Sequence, residues 1–548
     1  MPSDTEFLPP RSVVEALRAI QEEHGWLEPA ALKSYAERTS TPMYRIHGVA
    51  SFFPHFRSAP PPRCEVQVCR DSACFLSGGE ALAARAREAA AKDSTVHVEE
   101  VSCLGRCDRA PAFAVNGVPR GGSDGMRIEA LLAKPPRRSS AVVRGGRSFR
   151  CDPYPSADQR WGALRKVLSG GVAAEEKAIQ DLKDSGLRGM GGAGFPTGTK
   201  WDLVRKAAGA PKFVVCNADE SEPGTFKDRE VLARLPHLVL EGMLLGARAV
   251  GADRAILYIR HEYGPEERRF RDALREARKA GAVGKDILGS GWSCEVEVFV
   301  SPGGYICGEE TALLEALEGK RAEPRNKPPF PGTHGLHGKP TLINNVETFA
   351  FAPWIALNGG AAWKALGVRG GAGLKFISVS GHVRLPQTVE VPMGTTAREV
   401  IDLCGGVSRR KRLKAFSPGG ASSNFLPASA ADTPMDFKAM GDAGSMLGSG
   451  ALFVVAEGTP MLPLALNVVR FFRNESCGKC VPCRVGSEKA VKILEDAAAG
   501  KDGAGTALLP ELHDAMAMTS ICGLGQAALN PALSAMKHFP GEVGGGAG

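Results

Sequence analysis

Three cysteines near the end of this 548-residue chain are spaced two residues apart, in the segment Cys477-Gly-Lys-Cys480-Val-Pro-Cys483, and Cys522 follows them. Cubane iron-sulfur clusters are held by four cysteine thiolates, and two-residue gaps let three cysteines reach three irons of one cube. The alternatives are a structural zinc site, usually built from two separated C-x2-C pairs, and a disulfide pair, which an intracellular-looking chain disfavours. The spacing therefore predicts a [4Fe-4S] cluster and an electron carrier.

Length and composition restrict the class of protein. At about 150 residues per domain, the chain is long enough for three to five domains. Its 43% hydrophobic and 23% charged residues are ordinary for a globular protein, and no window approaches the roughly 20 apolar residues of a membrane span. The first residues do not resemble a secretory signal, so we expect a cytoplasmic protein. The net charge of +8 gives no strong argument for nucleic-acid binding.

Apolar patterning divides the first part of the chain. Helical spacing predicts helices between residues 11 and 40. Alternation then predicts strands at 64–69 and near 96–101, with an alanine-rich helix at 80–92 between them. A segment rich in Pro, Arg, Ser and Gly follows and predicts a linker. The predicted boundaries are 1–60 for the helical region, 61–133 for the small α/β domain and 134–164 for the linker.

Strands alternate with helices in the middle of the chain, which indicates a largely parallel sheet at 165–367. A strand-rich unit follows at 368–452, a helical region with cysteines at its helix starts at 453–540, and a Gly-rich tail, predicted to be disordered, at 541–548. The elements predicted individually are strands at 212–216, 255–259, 295–300, 374–380 and 387–391 and a helix at 266–280.

A glycine-rich loop runs from Ser185 to Lys200 and contains Gly189, Gly191 and Gly192. Glycines let backbone amides approach a phosphate closely, and Lys200 can add a positive charge. The order Gly189-x-Gly191-x-x-Gly194 matches the dinucleotide fingerprint, but no strand precedes it, so the context of a Rossmann turn is missing. We therefore predict a nucleotide-binding loop of another design, with a structural turn as the alternative.

Two acidic clusters follow predicted strands, at the sheet edge where ligands collect in α/β proteins. Their carboxylates suit ribityl and ribose hydroxyls, and an aromatic ring suits an isoalloxazine or a nicotinamide face. The alternative is a set of surface turns and helix N-caps. The first cluster comprises Asn217, Asp219, Glu220 and Glu222, and the second comprises Tyr305, Gly308, Glu309 and Glu310.

A second cysteine quartet lies near the start of the chain, as Cys69-x4-Cys74 and Cys103-x3-Cys107. Four thiolates can hold two irons bridged by two sulfides, so the quartet predicts a [2Fe-2S] cluster. A zinc site and a redox-active disulfide are the alternatives. No sequence pattern supports hydrolytic chemistry. The remaining cysteines are predicted to be small buried residues. These cysteines are Cys64, Cys151, Cys216, Cys294, Cys307 and Cys404.

Six long motifs lie in this order across residues 165 to 540: GLRGMGGAGFPTGTKW, CNADESEPGTFKDR, YIRHEYG, GGYICGEETALLEALEGKRAEPRNKPPFP, INNVET and ESCGKCVPCR. They resemble the NADH-binding flavin subunit of respiratory complex I. The first 130 residues resemble the thioredoxin-like [2Fe-2S] subunit that accompanies it, here fused to it. The resemblance implies a multidomain α/β chain with a Rossmann-like FMN/NADH-binding domain, a β-grasp domain and a C-terminal helical bundle that carries the [4Fe-4S] cluster.

The resemblance also implies the site residues. Met190 departs from the Arg that is usual in complex I, and Leu203 stands where an aromatic residue often flanks the nucleotide. The implied FMN site is Gly189, Gly191, Gly192, Lys200, Asn217, Asp219, Glu220, Glu222, Tyr305, Gly308, Glu309, Glu310, Asn344, Asn345 and Thr348. The implied NADH contacts are Phe195, Glu222, Glu310, Lys327 and Phe330.

The implied reaction is hydride transfer between NAD(H) and FMN, positioned by Glu222 and Glu310 without a proton-shuttling side chain. Single electrons would then pass through the Cys477 cluster, with the [2Fe-2S] cluster as a side store or relay. The motif GLRGMGGAGFP most resembles that of the β subunit of formate dehydrogenase. This resemblance implies a molybdenum or tungsten α subunit as partner. Alternatives are a bidirectional NAD-reducing nickel-iron hydrogenase, a complex I-type dehydrogenase and, from another class, a zinc-stabilised assembly scaffold.

Overall fold

The computed structural model describes residues 12–136, 148–408, 411–501 and 504–543. An N-terminal helical cap begins with a capping box, in which Ser12 and Glu15 satisfy each other's backbone amides. Its first helix ends at Gly25, whose φ of 81° is left-handed. Val14 and Leu17 are fully buried, as the helical spacing predicted. The cap consists of α1 (Val13–His24), α2 (Pro29–Thr39) and α3 (Met43–Ala50).

The next domain is a four-stranded sheet with helices, and its predicted strands are confirmed. The strand order is β2-β1-β3-β4, with β1 and β2 parallel and the other pairs antiparallel. Both cysteine pairs begin where a strand ends, at Cys69 and just after Val101. The elements are β1 (Cys64–Cys69), α4 (Ser72–Leu76), α5 (Gly79–Ala90), β2 (Val96–Val101), β3 (Ala112–Val115), β4 (Val118–Gly121) and α6 (Ile128–Ala133).

The central domain contains the predicted parallel sheet, in the order β7-β6-β5-β8. Its middle strand β5 is almost wholly buried, which fits a parallel sheet covered on both faces. The elements are α7 (Gly162–Ser169), α8 (Gly171–Asp184), α9 (Thr197–Lys206), β5 (Phe213–Ala218), α10 (Lys227–Arg234), α11 (Pro236–Val250), β6 (Arg254–Arg260), α12 (Gly264–Lys279), β7 (Glu295–Ser301), α13 (Glu310–Leu317), α14 (Pro331–His334), β8 (Thr341–Asn345), α15 (Val346–Asn358) and α16 (Gly360–Lys364).

A five-stranded mixed sheet follows, in the order β10-β9-β13-β11-β12. Its central strand β13 pairs with both β9 and β11 and runs to Ala456. The predicted boundary at 452 therefore cuts a strand and is wrong by four residues, because the sheet needs all of β13 to join its two halves. The elements are β9 (Leu374–Gly381), β10 (Gln387–Pro392), α17 (Ala397–Leu403), β11 (Leu413–Ser417), β12 (Leu426–Pro427), α18 (Phe437–Asp442) and β13 (Ala451–Ala456).

The C-terminal region is helical, as predicted. The tail predicted from Gly541 begins inside the last described helix, and residues 544–548 lie outside the described residues. No helix of the described chain is long and apolar enough to cross a membrane. The helices are α19 (Met461–Glu475), α20 (Val481–Ala498), α21 (Leu509–Thr519), α22 (Gly523–Ala527), α23 (Asn530–His538) and α24 (Pro540–Val543).

The predicted linker at 134–164 needs a correction in its second half. Residues 137–147 lie outside the described residues, but Cys151 is fully buried in the main core, and Trp161 packs there too. The backbone amide of Cys151 donates to Glu390 of β10 at 2.9 Å. This segment is therefore packed between the central domain and the mixed sheet.

Candidate functional site

The glycine-rich loop folds back on itself between α8 and α9. The amide of Gly189 donates to the carbonyl of Phe195 at 2.8 Å, and Arg188 pairs with Pro196. Gly192 and Gly194 have φ of 128° and 64°, conformations that side chains rarely adopt. The preceding element is the helix α8, so the absence of a Rossmann turn is confirmed.

This loop lies over the end of β8 and the start of α15. The amide of Met190 donates to the hydroxyl of Thr348 at 2.9 Å, and the Met190 side chain is buried in the core. A Cβ atom on Gly191 would lie 3.2 Å from that of Asn345. The loop glycines therefore lie beside Asn345 at the end of β8 and Thr348 near the start of α15.

The carboxyl ends of the strands meet the other predicted segments at the same sheet edge. Asn217, at the end of β5, donates to the carbonyl of Gly308 at 2.8 Å. Asn344, at the end of β8, accepts from the indole of Trp201 at 3.0 Å. Lys200 donates to the carbonyl of Ile343 at 3.2 Å. This edge is the position at which ligands bind in α/β sheets.

Asp219 has an unused acceptor at this edge. Its Oδ1 accepts from the hydroxyl of Ser221 at 2.5 Å, whereas its buried Oδ2 has no hydrogen-bond partner among the described residues. Burial raises the pKa of Asp219 to about 6. A buried acceptor without a partner is costly, so this oxygen fits a hydroxyl of a bound ligand such as a ribityl chain.

Glu220, the next residue, is placed differently. Its two carboxylate oxygens accept from the amides of Asp228 and Arg229 at 2.8 and 3.1 Å, and from the hydroxyl of Tyr263 at 2.9 Å. Glu220 thus stabilises the start of α10, which is the helix-capping alternative that the sequence left open. Its carboxylate is bound within the protein.

Glu309 and Glu310 share Lys327, which donates to them at 2.8 and 3.2 Å, but they differ in their other contacts. Glu309 caps α13 by accepting from the amides of Thr311 and Ala312 at 2.8 and 2.9 Å. Glu310 lies 3.7 Å from the ammonium of Lys200 and 3.2 Å from that of Lys327. Burial raises the pKa of Glu310, but the two lysines outweigh burial and hold it below its usual value.

Large apolar side chains near these charges are exposed. Phe195 is 44% exposed, and Phe330 and Leu203 are each 57% exposed. The ammonium of Lys200 lies 6.0 Å from the centre of the Phe195 ring. Exposed aromatic rings beside paired charges can stack on a flat ring such as nicotinamide or adenine.

Glu222 connects the central domain to the mixed sheet. Its carboxylate accepts from the amide and the hydroxyl of Ser422 at 2.7 and 2.8 Å and also hydrogen-bonds to the hydroxyl of Tyr305. Burial raises the pKa of Glu222. The role of Ser422 was missed, because nothing in the sequence relates two residues 200 positions apart.

A buried charge network behind the site was also missed. Lys227 lies 2.6 Å from Asp228 and 3.0 Å from Glu347, and Lys375 of β9 lies 2.6 Å from Glu347. Asn345 donates to Asp228 at 2.6 Å, which joins the network to the site. Two lysines and two carboxylates are therefore balanced inside the domain interface, as burial of charge requires.

The four C-terminal cysteines line one pocket. Cys477, Cys480, Cys483 and Cys522 share it with Ile306, whose neighbour in the chain is Tyr305. Cys480 precedes α20, so its thiolate would lie at the positive end of the helix dipole. Four free thiols around one pocket fit the donor set of a [4Fe-4S] cluster.

The N-terminal quartet is buried and compact. The sulfur atoms of Cys103 and Cys107 lie 3.6 Å apart, and the thiol of Cys69 hydrogen-bonds to those of Cys103 and Cys74. The described residues contain no group of three or more His, Cys, Asp or Glu that could hold a single metal ion. A [2Fe-2S] cluster, in which each iron takes only two thiolates, fits these four cysteines.

Buried arginines of the central domain hold the second cysteine loop. Arg260 donates to the carbonyl of Cys103 at 2.7 Å. Arg229 donates to the carbonyl of Gly105 at 2.6 Å and to Asp108 at 2.9 Å. Neither arginine was singled out from the sequence, although both belong to quoted motifs. The two domains are joined next to the cluster ligands.

Four regions of the chain match known domain families. Residues 182–354 match the Nuo51 FMN-binding domain, 7–135 the thioredoxin-like [2Fe-2S] ferredoxin, 376–423 the SLBB domain and 463–545 the NADH-ubiquinone oxidoreductase-F iron-sulfur binding region. The second NADH-quinone oxidoreductase F subunit of Rhizobium meliloti is 46% identical over 382 residues, covering 69% of this chain and 90% of that protein. The chain belongs to the family of NADH-quinone oxidoreductase F subunits. The member from Escherichia coli is 43% identical, over 71% of this chain and 88% of that protein.

Solved structures resemble this member of the family over nearly its whole length. The NAD+-reducing [NiFe]-hydrogenase in the air-oxidized state gives a TM-score of 0.86 at 32% identity, covering 99% of this chain and 94% of that chain. An NAD+-reducing [NiFe]-hydrogenase in the H2-reduced state gives a TM-score of 0.85 at 32% identity, covering 97% of this chain and 93% of that chain.

The predicted fold class and cofactors are confirmed by these matches. This member of the family is a multidomain α/β NADH dehydrogenase flavoprotein with FMN, a [2Fe-2S] cluster and a [4Fe-4S] cluster. The iron-sulfur families favour the clusters over the zinc alternative at both quartets.

Proposed function

We propose that this chain is the diaphorase subunit of an NAD-dependent formate dehydrogenase. It exchanges electrons between NAD(H) and a molybdenum or tungsten α subunit, so that formate and NAD+ yield CO2 and NADH. The loop sequence around Met190 supports this partner. Its side chain is 1% exposed in the core, where an arginine would need a buried partner. The buried side chain of this loop therefore differs from the arginine that is usual in complex I.

The position of Tyr305 is the observation that supports electron transfer. Its hydroxyl bonds to Glu222 at the sheet edge, and its ring packs against Phe471 and Phe472 at centroid distances of 5.0 and 6.1 Å. Both phenylalanines belong to α19, the helix that precedes Cys477. FMN supplies two-electron exchange with NAD(H) and one-electron exchange with a cluster. Tyr305 thus lies where the two kinds of transfer meet.

The residues at the sheet edge divide into two groups in this proposal. The glycine loop, Lys200 and the amides of Asn217 and Asn345 bind the flavin, and Asp219 accepts a hydroxyl of its side chain. Phe195 and Phe330 stack on the nucleotide, while Glu310 and Lys327 orient it. Hydride transfer between two rings requires that the chain align the rings and exclude water from between them. It requires no proton-shuttling side chain.

A NAD-reducing nickel-iron hydrogenase is the second candidate. The observation that favours it is the similarity to that enzyme over 99% of this chain, which includes the fusion of both cluster domains. The same diaphorase chemistry would then serve a different catalytic subunit.

Purification of the native complex separates the two candidates. Formate-dependent NAD+ reduction, with molybdenum or tungsten in a co-purifying large subunit, is the expected result. Hydrogen-dependent NAD+ reduction with a nickel-containing subunit would replace this proposal by the second candidate. An isolated chain with FMN that fails to reduce dyes with NADH would contradict both.

A further inference from the structure

The side chain of Asn467 in helix α19 hydrogen-bonds to the first cysteine loop of the [2Fe-2S] domain. The amide nitrogen of Asn467 donates to the carbonyl of Arg70 at 2.9 Å, and its oxygen accepts from the amide of Ser72 at 2.8 Å. Both contacted residues flank Asp71, between Cys69 and Cys74. Asn467 therefore binds the backbone of the loop that carries two ligands of the cluster.

Ser72 shows why this contact matters. Its φ of 38° is left-handed, which is strained for a residue with a side chain, and the residue is buried. Without Asn467 its amide would lose the acceptor that the side chain supplies, and a buried unpaired amide is costly. The surrounding structure must hold such a residue in place, and Asn467 contributes to doing so.

Glu475 makes the corresponding contacts two turns further along α19. One carboxylate oxygen accepts from the amide of Tyr305 at 2.6 Å, and the other accepts from the hydroxyl of Ser102. Ser102 precedes Cys103, a ligand of the [2Fe-2S] cluster. Tyr305 belongs to the flavin site, and Glu475 itself is two residues before Cys477.

We propose that Asn467 and Glu475 are positioning residues, through which α19 holds both [2Fe-2S] ligand loops and the flavin loop beside the [4Fe-4S] cluster. The four-residue spacing of Asn467, Phe471 and Glu475 places them on adjoining turns of the helix. Phe471 packs on the Tyr305 ring between the two polar contacts. The inference rests on the cofactors and the diaphorase function, and it is independent of the partner enzyme.

Asn467→Ala tests the first contact in the holoprotein. We expect faster hydrogen exchange at the Ser72 amide, a broadened or shifted [2Fe-2S] EPR signal and at least tenfold slower reduction of that cluster by NADH. The [4Fe-4S] signal should be unchanged. The matched control is Asn474→Ala, on the same helix, because Asn474 is exposed and hydrogen-bonds only to Arg473 in the described contacts.

Two variants of Glu475 separate the effect of its hydrogen bonds from the effect of its charge. A glutamine can accept from the Tyr305 amide with its oxygen and donate to the Ser102 hydroxyl with its nitrogen, because a hydroxyl can also accept. Glu475→Gln should therefore keep the exchange protection and the rate of [2Fe-2S] reduction, while raising both cluster potentials by removing a nearby negative charge. Glu475→Ala should lose the protection of the Tyr305 amide and slow the transfer. Glu488→Gln, on α20, is the charge control.

The outcomes decide the proposal. Wild-type exchange and wild-type [2Fe-2S] EPR in both alanine variants would overturn it. Loss of about two of about six irons in Asn467→Ala, but not in Asn474→Ala, would support it, since the loop would then fail to hold its cluster. EPR after dithionite reduction and hydrogen exchange do not need NADH, so they test the contacts even if the diaphorase function is wrong.

Discussion

Single residues at the sheet edge differ in whether they keep a free donor or acceptor. Asp219 and Glu220 are adjacent, buried carboxylates, but they differ in their hydrogen bonds. Within the described part of the chain Asp219 has an oxygen without a hydrogen-bond partner, whereas both oxygens of Glu220 accept from backbone amides or from Tyr263. The first is suited to a ligand and the second to the fold.

A pair of alanine variants tests this division. Glu220→Ala leaves two amides and a hydroxyl without their acceptor, so the apoprotein should lose about 3 kcal/mol of stability. Asp219→Ala should leave apoprotein stability nearly unchanged and weaken FMN binding about tenfold, equal to about 1.4 kcal/mol. Thermal unfolding of the apoproteins and flavin fluorescence titration measure the two effects. Equal loss of FMN affinity in both variants, with equal stability, would contradict the division.

Cys480→Ala tests the outlet for single electrons. NADH should still reduce the flavin, because Cys480 lies in the C-terminal cysteine pocket and not among the predicted sheet-edge residues, but electron exchange with the partner should be lost. Stopped-flow absorbance follows the flavin, and partner-dependent turnover follows the exchange. Cys294→Ala is the control, since this buried cysteine precedes β7 and lies outside both quartets. Turnover at the wild-type rate in Cys480→Ala would contradict the proposed path.

Sequence reasoning reached the residue types of the site but not their individual roles. The motif around residues 217–222 predicted carboxylates at a strand end, and they are there. The difference in role between Asp219 and Glu220 depends on the hydrogen bond from Tyr263 to Glu220. The position of Glu222 depends on its hydrogen bonds with Ser422 in another domain. Contacts between segments so far apart in the chain leave no local pattern to detect.

Individual elements of the central domain depend on close helix packing. A Cβ atom on Gly242 of α11 would overlap the carbonyl of Phe349 in α15, and one on Gly246 would lie 3.1 Å from the Phe349 ring. The two helices can therefore approach each other only where α11 has no side chain. Together they cover the sheet behind the β8 edge.

Gly242→Ala should force the helices apart. The expected loss is about 1–3 kcal/mol of stability, the usual cost of overpacking a core. Gly48→Ala is the control, because a Cβ there meets nothing within 4 Å and the helical position favours alanine. Thermal unfolding of both variants measures the difference. A Gly242→Ala midpoint at or above that of Gly48→Ala would contradict the packing argument.

Glu241 in the same helix makes stability depend on pH. It is fully buried, its Oε1 accepts from Tyr154 and from the amide of Leu164, and burial raises its pKa to about 7. A carboxyl with a raised pKa in the folded state binds its proton more tightly there than in the unfolded chain. Its contribution to stability is therefore complete below about pH 4.5 and is lost as the pH rises through about 7.

Glu241→Gln should remove this dependence. The glutamine oxygen can keep both hydrogen bonds without titrating. Relative to the variant, the wild type should lose up to about 3 kcal/mol between pH 4.5 and 8, because the pKa of Glu241 rises from 4.5 to about 7 on folding. Thermal unfolding across this range gives the comparison. A difference between the two proteins that stays constant with pH would contradict the assignment.

Helices and strands were predicted correctly where the segment itself shows a periodic or spaced pattern of residues. The strand at 64–69 and the helix starts at the cysteines followed from alternation and spacing. Strand β13 was divided by the predicted domain boundary, because its continuous apolar run does not show that it pairs with β9 and β11. The segment around Cys151 was taken for a linker because its composition hides its burial.

The whole molecule is organised around the cofactor-bearing segments. The N-terminal cap packs on the central domain through the rings of His55 and His261, whose centroids are 4.2 Å apart, and through Arg321, which donates to Gly48 at 2.7 Å. The [2Fe-2S] domain is held by Arg229 and Arg260 on one side and by α19 on the other. Several interfaces therefore meet where electrons would move between domains.

The most direct test of the account is an anaerobic NADH titration of the reconstituted chain, combined with metal and flavin analysis. We predict one FMN and about six irons per chain, with flavin bleaching and EPR signals from both a [2Fe-2S] and a [4Fe-4S] cluster as NADH is added. About two zinc ions without iron, or a flavin that NADH reduces while both clusters stay oxidised, would contradict it.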